Sequence, residues 1–330
     1  MRALAVPFLL AIALPAAPAS ASPDEPKPPP GRFPATGNDD AWARLARENP
    51  PLPAWARVLV GPLPQTTAKM LELDHLHREK NPLGPMLAGK LRWAAADAAG
   101  SKFGVATAEA DLRRAGLGDT DLADLAETAK LPRAERVALA FARKLTRAGY
   151  AITDDEFAEL LKLHGPEKVT AIVHTVAYAN FLDRVVLGLG AAGEPVPPVA
   201  VRFDPDRLAN VTAPARPRWD ELKLVTADAL AVRVEWGKDG FDELNLALEK
   251  QKLRKLRMPL PEATRFEGLP PREKEQAGKI VWMAISSGYQ PELTRAWFAC
   301  LSAFYEEAKV DRVFTNSVFW VVTRTNDCFY

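Results

Sequence analysis

From Asp39 to about Leu189, almost every segment repeats its apolar residues at helical spacing, and no run of alternating β-branched residues breaks the pattern. A stretch so patterned folds as an all-α unit. LPRAERVALAFARKLTRAG places Val137, Ala140, Phe141 and Leu145 on one helix face and stops at Gly149. TDDEFAELLKLHG opens with Thr153 and Glu156 at capping-box spacing and closes at Gly165. Pro166 suits the first turn of the next helix, where Ile172, Val173, Val176, Phe181, Val185 and Leu189 form a broad apolar stripe. The core predicted for this bundle includes Leu71, Leu87, Leu91, Trp93, Leu112, Phe141, Val173 and Phe181.

A length of 330 residues exceeds the usual single-domain size, so two units are expected. Residues 1–21 read as a signal peptide: Arg2, an apolar run from Ala3 to Leu14, then a small-residue cleavage site ending at Ala21. The expectation is an exported chain with no membrane span after cleavage, because the apolar run is too short to cross a bilayer. Residues 22–38, rich in proline, glycine and charge, read as a linker unable to order itself. The first unit then covers 39–189, a Pro/Gly-rich linker 190–218, and a second unit 219–330. In the second unit VRVEW is a candidate short strand, and the basic run Lys250 to Arg257 is expected to be a solvated helix face. Cleavage would leave 42 basic against 42 acidic side chains, so no basic surface for nucleic acid is implied.

The chain carries an internal repeat. Shifted by 227 residues, PQTTAKMLELDHLHREKNPLGPMLAGKLRWAAADAAGSKF lies over PELTRAWFACLSAFYEEAKVDRVFTNSVFWVVTRTNDCFY without a gap. Pro64 meets Pro291, Thr67 meets Thr294, Glu79 meets Glu306 and Trp93 meets Trp320. Apolar class is kept at Met70/Trp297, Leu71/Phe298, Leu83/Val310, Leu87/Phe314, Leu91/Val318 and Phe103/Tyr330, as one helix-turn-helix geometry used twice requires.

The stretch from PPLPAWARVLVGPLPQTTAKM to DLRRAGL, with the closing VAYANFLDRVVLGL that holds Asn180, Phe181 and Arg184, resembles carboxymuconolactone decarboxylase / alkylhydroperoxidase D-like proteins. The resemblance covers about residues 50–190 and again 275–330. It implies a C-x-x-C-x-x-x-H motif at a helix N-terminus, where free amides and the helix dipole stabilise a thiolate. In the first copy those positions hold Ser101, Gly104 and Ala108, so the motif is degenerate. In the second copy the first cysteine position is Cys328, after which only Phe329 and Tyr330 follow. The second copy therefore reads as truncated.

Two functions follow from this resemblance. One is thiol-dependent peroxide reduction through Cys328 with a thiol electron donor, if the second copy is complete. The other is a non-catalytic helical dimerisation or ligand-binding module that has lost the redox motif, with a homo-oligomer as its natural state. A lactone decarboxylase would need acid/base residues that the motif positions do not supply. No cofactor or metal is implied. Cys300, among Trp297, Phe298, Leu301 and Phe304, reads as core. His75 and His77 on one helix point about 200° apart, which disfavours joint metal ligation. His164 is expected to meet the carbonyls of its own helix end, and His174 to be a satisfied helical histidine. Asn210-Val211-Thr212 fits a glycosylation sequon.

Overall fold

The structure is a computed structural model describing residues 33–45, 50–127, 130–191, 193–201, 245–246, 249–250 and 255–325. Among these residues there is no strand, and the fold is all-α. The helices are α1 (Asn38–Leu45), α2 (Ala54–Leu59), α3 (Pro64–Glu79), α4 (Gly84–Ala99), α5 (Lys102–Arg114), α6 (Asp119–Asp124), α7 (Arg133–Ala148) and α8 (Asp154–Leu189). They continue with α9 (Pro271–Ala277), α10 (Val281–Tyr289), α11 (Pro291–Ala308) and α12 (Arg312–Thr325). The segment expected to be a signal peptide, the candidate strand VRVEW, the candidate sequon and Cys328 lie outside the described residues.

Local chemistry sets the boundaries. At the start of α8, Thr153 accepts from the Glu156 amide while the Glu156 carboxylate accepts from the Thr153 amide, completing the capping box. Inside α8 the helix breaks at Gly165, whose φ of 71° is open to glycine and strained for other residues. Pro166 restarts it, so the two predicted helices are joined at a kink. Among the described residues only α8 is long and apolar enough to cross a membrane, and half of its apolar window is buried within the bundle.

Two cores form. Trp42, Leu45, Trp55, Leu71, Tyr178 and Val186 join α1, α2, α3 and the end of α8, and Trp297 and Cys300 of α11 enter the same core. Leu91, Leu112, Leu139, Phe141, Leu160 and Ile172 join α4, α5, α7 and α8. Each fully buried leucine contributes about 1.5–3 kcal/mol by leaving water. Of the predicted core, Leu71, Leu91, Trp93, Leu112 and Phe141 are buried, whereas Leu87 and Phe181 pack at its edges. Val173 is a correction. It is 36% exposed, because Ile172 faces the core and the next residue, about 100° around the helix, turns away.

The two linkers also need correction where they are described. Phe33 packs against the first core, and the Thr36 amide donates to the Arg57 carbonyl at 2.9 Å, so order begins before Asn38. Beyond α8 the chain is irregular, as expected, yet Val199 and Val201 are buried in the first core. In the basic run, Lys250, Lys255 and Arg257 are exposed, as expected, and Arg257 donates to Asp154 at 2.7 Å and to the Ile152 carbonyl at 2.9 Å.

The two segments aligned by the 227-residue shift have similar helix boundaries. α3 and α11 each begin on the aligned proline, and α4 and α12 follow after similar short turns. α3 and α11 pack against each other, with Met70 and Leu73 and their aligned partners Trp297 and Cys300 all in one core. They run antiparallel. Glu307, near the end of α11, accepts from the Gln65 amide at 2.7 Å and from the Thr66 amide and hydroxyl at 2.6 Å, satisfying free donors at the start of α3. The second helices differ in burial. Leu91 of α4 is covered by the second core, whereas Val313 and Phe314 of α12 are 73% and 62% exposed.

Candidate functional site

The buried face of α3 carries, besides the threonines of its first turn, Asp74 and, one turn further on, His77 and Arg78. Their burial demands partners. Arg78 supplies most of them: Nη1 donates to Asp74 Oδ2 at 2.9 Å, and Nε and Nη2 form a fork onto Asp111 at 2.7 and 2.8 Å. Nη2 also donates to the Val196 carbonyl at 2.8 Å, which ties the chain beyond α8 to the site. Arg92 of α4 donates to Asp111 Oδ2 at 2.7 Å. Tyr178 of α8 donates to Asp74 Oδ1 and stacks on His77, with ring centroids 4.3 Å apart.

The electrostatics follow from this pairing. Burial raises the pKa of Asp111, but Arg78, Arg92 and Arg114 outweigh it and hold the carboxyl below its ordinary value. Burial and the adjacent Asp74 push the Tyr178 phenol well up, so it stays a donor. Burial, with His174 and Arg92 nearby, holds His77 neutral. Two arginines and two aspartates thus balance inside the bundle.

Beside this cluster sit Ser101 and Gly104, two of the positions at which the resemblance implied a redox motif. Gly100 ends α4 in the left-handed conformation, and Ser101 caps α5, its hydroxyl accepting from the Gly104 amide at 3.0 Å. The same hydroxyl donates to Asp183 Oδ1 of α8 at 2.8 Å. A Cβ on Gly104 would lie 2.2 Å from Asp183 Oδ1 and 2.7 Å from the Ala96 methyl, so the Asp183 carboxyl fills the space of any side chain at position 104. Ala108 is fully buried in the second core. The structure therefore brings Ser101 and Gly104 together and packs Ala108 away from solvent.

Burial raises the Asp183 carboxyl to about 7, against the Ser101 hydrogen bond and the charges of Arg184 and Arg92. Its Oδ2, with Arg92 Nε and Thr107 Oγ1, is shielded from solvent without a protein partner. These three residues line a cavity of about 20 Å³ together with Asp74, Arg78, Phe103 and Tyr178.

The other sequence candidates resolve simply. Cys300 is buried, and burial pushes its thiol up to about 12, which leaves it protonated and unreactive. His164 Nε2 lies 3.0 Å from the Ala134 carbonyl at the start of α7, not at its own helix end, because the kink at Gly165 turns it toward that helix. No group of three or more metal-ligating side chains occurs among the described residues.

Sequence reasoning missed the Asp74, Arg78, Arg92, Asp111, Tyr178 and Asp183 cluster. Its signal was present for four of the charged members: Asp74 and Arg78 in LELDHLHRE, Arg92 in KLRWAAADAA and Asp183 in VAYANFLDRVV each stand among apolar residues at helical spacing. Compared with known proteins, the chain matches no family profile, no curated protein and no solved structure.

Proposed function

We propose that the chain is a non-catalytic helical module, similar in layout to carboxymuconolactone decarboxylase / alkylhydroperoxidase D-like proteins, whose first unit retains the buried polar frame without thiol chemistry. The observation that carries this is Gly104, whose missing side chain is replaced by the Asp183 carboxyl locked to Ser101. A serine hydroxyl held this way has a far higher pKa than a thiol, and no second sulfur can be placed beside it. The matching helix pairs and the α3–α11 packing support a duplicated unit. The exposed Val313 and Phe314 of α12 support self-association.

The second reading is thiol-dependent peroxide reduction through Cys328, favoured by the register that aligns that position with Ser101 at the end of matching helix pairs. The test is peroxide consumption by the full chain with dithiothreitol as donor, alongside Cys328→Ser and Ser101→Ala. Consumption no faster than with the two variants is expected. Catalytic turnover that disappears in Cys328→Ser would replace the module reading with the peroxidase one.

A further inference from the structure

Three polar groups from three helices have no protein partner around one small space: Arg92 Nε from α4, Thr107 Oγ1 from α5 and Asp183 Oδ2 from α8. Arg92 and Asp183 are not otherwise unengaged, since Asp111 holds the Arg92 Nη2 and Ser101 holds the Asp183 Oδ1. Each thus keeps one atom for something else. Buried polar atoms of this kind are normally satisfied, and one guanidinium N–H, one hydroxyl and one carboxyl oxygen require an occupant that both donates and accepts. The cavity of about 20 Å³ exceeds the minimum for a single water but leaves no room for a drug-sized body.

We propose that this cavity is a binding site for one water molecule, hydrogen-bonded to Arg92, Thr107 and Asp183, and that Asp183 exchanges its proton through it. In that exchange the Asp183 O–H bond breaks as its proton passes to the water oxygen. A proton already on that water leaves toward solvent, and no electron changes hands. The carboxyl is poised for this near neutrality because burial disfavours its charged form. The charged and titratable groups facing it are Arg92 from α4, Asp74 and Arg78 from α3, and Tyr178 and Arg184 from α8 itself, with Asp111 from α5 behind Arg92. Asp74 and Asp111 are both engaged by arginine, so Asp183 is the carboxyl left to move a proton.

The proposal goes beyond the module reading and stands apart from it, because its readout is spectroscopic and involves no peroxide turnover. Infrared difference spectra of the full chain should contain a protonated-carboxyl C=O band at pH 5 that titrates near neutrality and is lost in Asp183→Asn. Transfer to D2O should shift this band far faster than the protein unfolds. Thr107→Val, which removes one ligand of the water, should slow that shift several-fold, and Thr107→Ser should restore it. A crystal structure should place one ordered oxygen within hydrogen-bonding distance of all three side chains. Absence of the band, exchange only at the unfolding rate, an unchanged rate in Thr107→Val, or no such ordered oxygen would each overturn the proposal.

Discussion

Replacing Asp183 by asparagine should stabilise the protein at alkaline pH and leave it almost unchanged in acid. The carboxyl rises from the ordinary aspartate value of 3.8 to about 7 on folding, chiefly through burial. Between those two pH values the folded chain holds a proton that the unfolded chain has released. Stability therefore falls as pH rises from about 4 to about 7, and this group contributes no further slope above that. At about 1.4 kcal/mol per pH unit, the loss is on the order of 4 kcal/mol. Asparagine keeps an oxygen to accept from Ser101 but has no charge to desolvate. Urea denaturation of both proteins from pH 4 to 8.5 should give curves that nearly meet at pH 4 and separate by about 2–4 kcal/mol at pH 8, with the variant higher. Other titrating groups are shared and cancel in the difference. Parallel curves, or a variant less stable at pH 8, would refute the assignment of a buried carboxyl that titrates near neutrality.

Three further outcomes are expected. Gly104→Ala forces a methyl within 2.2 Å of Asp183 Oδ1 and should cost about 1–3 kcal/mol or more in urea denaturation, only partly recovered when Asp183 is also changed to serine, because the Ala96 methyl still lies 2.7 Å from the new Cβ. Glu307→Ala removes three hydrogen bonds from the start of α3 and should cost about 1–3 kcal/mol, with faster hydrogen exchange at the Gln65 and Thr66 amides; exchange that stays unchanged would show the cap to be without effect. Arg78→Met leaves Asp74 and Asp111 without their shared partner and should destabilise by about 3–5 kcal/mol near pH 7, the loss shrinking in acid as Asp111, held below its ordinary value in part by Arg78, protonates; a pH-independent loss would count against the charge argument.

How much of this could be read from sequence is clearest at particular residues. The capping box at Thr153, the break at Gly165 and the prolines that open α3 and α11 are local events, governed by backbone groups within one turn, and the sequence states them directly. That Ser101, Gly104 and Ala108 offer no thiol or imidazole is equally a matter of residue identity. Periodicity also selected most of the core, failing at Val173, where a stripe drawn too wide included a residue on the solvent side. Only the tertiary structure decided which charges meet. Asp74 and Arg78 are one turn apart, but Asp111, Tyr178 and Asp183 arrive from other helices, and sequence spacing carries no information about a contact between residues 101 and 183. The same holds for Gly104, where the sequence records a missing side chain and packing alone reveals that a carboxyl from α8, pushed to about 7 by burial, occupies its place. Desolvation and hydrogen-bond partnership depend on which atoms surround a group in space, so the chemistry of this site exists only once the helices have packed.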